Sequence, residues 1–230
     1  MVNKQVDRSR ARAQEDYLKA IYHLNCGAPV KAAPLARHLK VSRAAVTMFR
    51  RVLEKDGLVE VAADRVEPMT LTRRGLAIAV SMVRRHRLVE TFLHRSLGVP
   101  LDRLHRNAEK IEHAISHEIE RRLANFLGNP STDPHGHVIP PSVDARGPTG
   151  GAPLIAMTLG QSIEVTALDD ADERALRRLT SLGALPGFRG IVVKNDGTGV
   201  CLRAGRKVVS LSSALAARVR CAVWVDCLTA

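Results

Sequence analysis

The apolar residues of this 230-residue chain change their period once, and that change constrains the fold more than any other feature. Over residues 8–127 they recur at three- and four-residue spacing, the period of amphipathic helices, with one short alternating stretch among them. Residues 128–151 are rich in Gly and Pro and read as a linker by composition. Beyond it the apolar residues fall into short runs at 162–168, 190–194, 199–203, 208–211 and 220–226, with one helical patch at 173–182. The chain is therefore expected to be mainly α with a small, largely β, barrel-like domain at its C-terminal end.

The first elements have a recognisable order. Residues 16–24 form an amphipathic helix that Gly27, Ala28 and Pro29 end. A short helix follows, with Pro34 in its first turn and Leu35, Ala36 and Leu39 facing inward. Ser42 caps a third helix that runs to about Asp56, where Gly57 supplies the stop. Residues 58–61 and 69–71 alternate on either side of the polar stretch 63–67 and form a small hairpin. Helix, turn, helix and hairpin is the order of a winged helix-turn-helix. In the third helix Val46, Phe49, Val52 and Leu53 share a face, which leaves Ser42, Arg43, Ala45, Thr47, Met48, Arg50 and Arg51 outward. Ala45 or Thr47 can meet a thymine methyl in a major groove. Arg43, Arg50 and Arg51 can reach phosphates or guanine edges, and Arg65 stands at the wing tip.

Charge agrees with a duplex partner. Thirty-five Lys and Arg against 23 Asp and Glu give +12, which favours nucleic acid ahead of an anionic membrane surface. Aromatics at 3% argue against stacking platforms for single strands. No apolar run approaches the roughly 20 residues of a membrane span. Residues 1–14 are charged and lack the apolar segment of a secretory signal, so a cytoplasmic protein is expected. Cys26, Cys201, Cys221 and Cys227 contain no C-x-x-C and read as small buried thiols in a reducing compartment.

Chemistry concentrates in two later helices. Thr72 caps a long one that reaches Leu97, and residues 98–100 break it. Another covers about 101–114, where His105, Glu109, Glu112 and His113 form one polar stripe at helical spacing. His86 and Glu90 repeat the four-residue spacing on the long helix. Acids and imidazoles packed this way repel or stay undersolvated unless protonated or metallated. A solvated face partnered by Arg103, Arg106 and Lys110 is the plainer alternative. A metallohydrolase is a poor rival and no enzyme is expected. There is no H-E-x-x-H, Gly-rich phosphate loop or nucleophile elbow, and spacing identifies no partner for His137 or Ser142.

Together, Asp16-Tyr17-Leu18-x-x-Ile21-Tyr22, the helix from Val41-Ser42 to Asp56-Gly57-Leu58-Val59, Met69-Thr70-Leu71-Thr72, Arg85-His86-Arg87-Leu88-x-Glu90, Glu112-His113-x-x-Ser116-x-Glu118 and Asp133-Pro134-His135-Gly136-x-x-Ile139-Pro140 carry a resemblance. The chain over about 16–141 resembles the metal-dependent repressors related to the diphtheria toxin repressor and the manganese transport regulator. Leu179-x-x-Leu182-Gly183-Ala184-Leu185-Pro186-Gly187 resembles the SH3-like domain of the longer members. The resemblance implies a winged helix-turn-helix at 1–72, a helical metal-binding and dimerisation domain at 73–141, a linker at 142–153 and an SH3-like β-barrel at 154–230.

It also implies a primary metal site from Asp16, Glu109, Glu112, His113 and His86, and an ancillary site from His86, Glu90 and His105. The ancillary site's remaining ligands would come from the acidic run Asp169, Asp170, Asp172 and Glu173, none of which is singled out. Iron-responsive members carry Met and Cys where this chain has Asp16 and Glu109, whereas manganese-responsive ones carry acids. A site without sulfur suits Mn²⁺ over Fe²⁺. Lys19, however, stands where binuclear manganese sensors have a second N-terminal acid. The expected function is a repressor activated by Mn²⁺ or Fe²⁺, a homodimer on a near-palindromic duplex operator, with Val80, Val83, Val89 and Phe92 among its interface residues. An iron-responsive repressor or a metal-indifferent winged-helix adaptor are the alternatives.

Overall fold

The computed structural model describes residues 2–25, 28–61, 68–141 and 151–224. They divide into two compact units, one from the described residues up to 85 with 140–141 and the other from 86–139 with 151–224.

The first unit begins with α1 (Val2–Leu24), α2 (Ala32–Leu39) and α3 (Arg43–Lys55), followed by β1 (Val59–Val61) and β2 (Met69–Leu71). Local chemistry sets each boundary. Ser42 Oγ accepts from Ala45 N at the start of α3, and Gly57 leaves it at φ 66°, a conformation that costs glycine nothing. Lys40 takes the left-handed conformation that ends α2. β1 and β2 pair antiparallel with Val61 opposite Met69, and Val30 bonds both ways to Met69 as a further bridge. Leu18, Ile21, Leu35, Val46, Leu53, Leu58 and Met69 form one buried core. The winged helix-turn-helix is therefore built as the spacing predicts. The wing tip, including Arg65, lies outside the described residues.

Thr72 Oγ1 accepts from Gly75 N and starts α4 (Arg73–Leu97). Val80, Val83 and Val89, expected at a two-fold interface, are instead buried within the single chain. Val89 packs in the core of the second unit with Leu93, Leu104 and Ala108. In the second unit α5 (Leu101–Ile111) packs Leu104 and Ala108 against Val89 and Leu93. α5 does not continue to residue 114: Glu112–Ala114 is a 3₁₀ turn, which breaks the expected helical stripe. Ser116 then caps α6 (His117–Phe126) by accepting from Ile119 N. Residues 128–141 are a built turn, with Thr132 bridging Val138, and not the linker their composition suggests.

The C-terminal part is a six-stranded antiparallel sheet in the order β3-β8-β4-β5-β6-β7. Its strands are β3 (Ala152–Pro153), β4 (Ser162–Leu168), β5 (Arg189–Asn195), β6 (Gly199–Ala204), β7 (Lys207–Ser212) and β8 (Val219–Val223). β3 lies inside the stretch 142–153 read as linker. Helices α7 (Glu173–Leu182) and α8 (Ser213–Ala216) interrupt the strands. Ile163, Val165, Leu168, Leu176, Leu179, Val192, Val200 and Leu202 fill its core. Cys221 is buried there and its thiol is pushed up to about 12, so it stays protonated; Cys26 and Cys227 lie outside the described residues. Ion pairs link α7 to α5, with Arg177 Nε 3.0 Å from Asp102 and Arg106 Nε 3.6 Å from Glu173.

Candidate functional site

The second unit gathers carboxylates and imidazoles from four segments around Glu90. Glu90 is 0% exposed on α4. Its Oε1 lies 3.2 Å from His86 Nε2, one turn earlier, 3.8 Å from His105 Nδ1 on α5, and 3.6 Å from His135 Nδ1 in the 128–141 turn. Asp170, just past β4, places Oδ2 3.6 Å from His105 Nδ1 and 3.6 Å from His137 Nδ1. His86 Nε2 and His105 Nδ1 are 3.1 Å apart, and the other His86 nitrogen pairs with Glu112. Ligand atoms from His86, Glu90, His105 and Asp170 all lie within 4.8 Å of one another, as do those of Asp133, His135 and His137.

Local bonds aim these groups. Asp133 Oδ1 accepts from the backbone of His135 (2.8 Å) and His137 (3.0 Å), an Asx turn that leaves Oδ2 facing the cluster. His135 Nε2 donates to Leu101 O at 3.0 Å, which turns Nδ1 toward Glu90. Glu109 sits 3.3 Å from the outer nitrogen of His105 and orients that ring in the same way. Leu168 N donates to His135 O at 2.9 Å and fixes the turn against β4.

Electrostatics show what the cluster lacks. Burial raises the pKa of Glu90, but the charge of His86 and bonds from His135 and His86 outweigh it and hold the carboxyl well below its usual range. Burial also works against charge on His105, yet bonds to Asp170 and Glu109 push it up to about 10. Glu90 does the same for His135, up to about 9, and Asp133 raises His137. Asp170 is held well below its ordinary value, against burial, by those histidines. Protons on imidazoles thus supply the positive charge these carboxylates need. Even so, these are ion-pair approaches: Glu90 Oε1 and Oε2, Asp133 Oδ2 and His135 Nδ1 are buried, and none of them makes a hydrogen bond of good geometry among the described residues. Orphaned buried oxygens are costly. A divalent cation fits them: ligand atoms bonded at ~2.1 Å to one ion sit roughly 3 Å apart or more, and the oxygen–nitrogen donor set without sulfur suits Mn²⁺ and Fe²⁺.

The geometry sorts the expected residues. His86, Glu90, His105 and Asp170 come together. Asp169 instead pairs with Arg218 at 2.8 Å, and Asp172 caps α7 and reaches Arg218 at 3.2 Å. Both carboxylates are engaged by Arg218 and neither lies with the grouped ligand atoms, where Asp170 does; Glu173 pairs with Arg106. The 3₁₀ turn sends Glu112 inward, fully buried, while Glu109 stays exposed, and His113 Nε2 is 3.7 Å from Glu112. Asp16 is half-buried on α1 in the first unit. Asp133, His135 and His137 were not among the expected ligands, although Asp133 and His135 stand in the motif that carries the resemblance. Their signal was an acid and two imidazoles at two-residue spacing after Thr132.

On α3 of the first unit, Ser42, Arg43, Met48 and Arg51 are exposed, and Ala45, Thr47 and Arg50 are half-buried. Val46 and Leu53 hold the opposite face in the core. A winged helix with an exposed basic reading helix, in one chain with a buried carboxylate–imidazole cluster that wants a cation, is the build of a metal-regulated DNA-binding protein.

Comparison with known proteins makes the class specific. Residues 11–66 match the iron dependent repressor N-terminal DNA binding domain, 72–141 its metal binding and dimerisation domain, and 152–223 the FeoA domain. The chain belongs to the iron-dependent repressor family. It is 34% identical over 201 residues to the iron-dependent repressor IdeR of Mycobacterium tuberculosis, covering 82% of this chain and 86% of that one. It is 41% identical over 127 residues to the diphtheria toxin repressor of Corynebacterium diphtheriae, 55% of each chain. A solved manganese-dependent transcriptional repressor in complex with manganese superposes with TM-score 0.82 at 33% identity, covering 92% of this chain and all of that one.

Proposed function

We propose that this chain is a cytoplasmic, homodimeric repressor that grips a near-palindromic operator when Mn²⁺ or Fe²⁺ is bound, with manganese favoured. The orphaned oxygens of buried Glu90 carry the reading. His86, Glu90, His105 and Asp170 would hold one cation, with Asp133, His135 and His137 beside them. Asp16, Glu109, Glu112 and His113 are the ligands of a primary site. A bound divalent cation supplies the positive charge that these carboxylates otherwise draw from protonated histidines. Asp16 is carried by the helix that packs against α2 and belongs to the core under α3, so a ligand role for it lets the DNA-reading unit feel metal occupancy. The division into a reading domain at 1–72, a metal-binding and dimerisation domain at 73–141 and an SH3-like domain after the linker is part of this reading. Among the described residues no helix is long and apolar enough to cross a membrane.

The test is an anaerobic metal series on a duplex selected from a random library by the metal-loaded protein. Mn²⁺ or Fe²⁺ is expected to tighten binding by about 5- to 150-fold over chelator-stripped protein. Equal grip by stripped protein would sink the reading and favour the metal-indifferent adaptor.

The dimer has its own test. Phe126, 70% exposed at the end of α6, lies 6.1 Å from the ring of Phe92, and Ile119 is exposed two turns earlier on the same face. With Val80, Val83 and Val89 used internally, this apolar patch is the surface proposed for the partner protomer. Phe126→Glu should weaken dimerisation by at least ~30-fold, as loss of a central aromatic does. Sedimentation would show a monomer at micromolar concentration, and an unchanged dimer would move the interface elsewhere.

A further inference from the structure

The reading helix has an unusual chemistry for a surface that must tell base pairs apart. Its hydroxyls near the N-terminus are turned to the protein's own backbone: Ser42 Oγ accepts from Ala45 N at 3.1 Å, and Thr47 Oγ1 donates to Arg43 O at 3.0 Å. Residues 42–55 contain no Asn or Gln, the side chains that pair with adenine through two bonds. What the helix presents instead is apolar. Exposed Ala44 and Met48 (72% exposed) stand four residues apart on the outward face, and Val41 (39% exposed) lies in the turn just before the helix. Arg43 and Arg51 are exposed beside them.

The fold does not need Met48 there. Val46 and Leu53 already bury the inward face completely, and Phe49 packs on Tyr17 with ring centroids 4.4 Å apart. A large apolar side chain left in water on an otherwise charged helix gains free energy when a partner covers it. In a major groove, the apolar feature that separates one base pair from the others is the C5-methyl of thymine. Methionine suits that contact because its unbranched thioether adapts to the position of a methyl group. Arginines on both sides supply the sequence-independent hold on phosphates.

We infer that Met48 is a specificity-determining residue that reads the C5-methyl of a thymine in each operator half-site. The inference rests on the DNA-binding reading above and adds to it the feature of the duplex that is recognised.

The experiment starts from the full chain loaded with Mn²⁺ and the duplex it selects from a random library. Each thymine is then replaced singly by deoxyuridine, which removes the methyl and keeps the base pair. Wild type should lose about fourfold in affinity at one thymine per half-site, the effect of one buried methyl. Met48→Ala should bind the thymine duplex about fourfold or more weakly and lose nothing further at that position. Met48→Gln should move the preference there toward adenine. Because Met48 is exposed, the thermal midpoints of both variants should match wild type. Deoxyuridine penalties identical in wild type and Met48→Ala at every position would overturn the inference while leaving DNA binding intact. Failure of the Mn²⁺-loaded protein to select any duplex would overturn the DNA-binding reading and the inference with it.

Discussion

Replacing Glu90 by Gln is expected to abolish most of the stabilisation that Mn²⁺ confers, and to weaken the metal-free protein as well. Glu90 is fully buried and faces His86, His105 and His135 at once. Removing its charge breaks a buried ionic network from one side, a change that costs about 3–5 kcal/mol because the partners remain. For a chain of this size that is on the order of 10 °C in melting temperature. With metal at 100 times its dissociation constant, wild type gains about 2.7 kcal/mol. If the variant binds ~100-fold more weakly, as loss of a ligand would cause, the gain at the same concentration falls to about 0.4 kcal/mol. Melting curves with and without Mn²⁺ measure both effects. Asp169→Asn is the matched control, since that acid lies beside Asp170 but pairs with Arg218, and it should keep the full Mn²⁺ shift. Equal shifts in wild type and Glu90→Gln would remove Glu90 from the metal centre.

How much of this was legible in the sequence depended on how local the determinant was. Helices with a period and a cap were readable: Ser42 and Thr72 both cap where their spacing says, and α7 occupies the expected 173–182. The burial of Glu112 was not legible because Glu, His and Ala are all compatible with a continuing helix, and nothing nearby announces a 3₁₀ turn. Choosing among Asp169, Asp170 and Asp172 needed non-local information. The backbone of Asp169 is held by Arg218 O at 2.9 Å, a pairing between distant parts of the chain, and that pairing decides which acid faces His105. Asp133, His135 and His137 were hidden by composition. Gly and Pro usually mark a loop without structure, but here an Asx turn uses them to aim two imidazoles. The pairing of α4's valines was likewise a question of which neighbour an apolar stripe meets, and a stripe does not say whether that neighbour is its own chain.

Gly136→Ala should cost more than about 3 kcal/mol and lower Mn²⁺ affinity at least ~10-fold, although Gly136 has no chemical group to give a metal. Its φ is 89°, and a Cβ there would lie 2.0 Å from Thr166 O and 2.9 Å from Ala167 Cα. Those are backbone atoms of β4, so no side chain can rotate away and the turn itself must move. Movement strains the bond from Leu168 N to His135 O and the bond from His135 Nε2 to Leu101 O, which together aim His135 at Glu90. Gly128→Ala separates this effect from ordinary backbone strain. Gly128 has a similar φ of 74° with nothing within 4 Å of its Cβ, so its replacement carries only the left-handed penalty of about 1–2 kcal/mol. Denaturant midpoints should rank the two variants in that order, and only Gly136→Ala should lose metal affinity in a titration. If both behave alike, the close approach of this turn to β4 is not what positions His135, and the ligand geometry must be set from the α5 side alone.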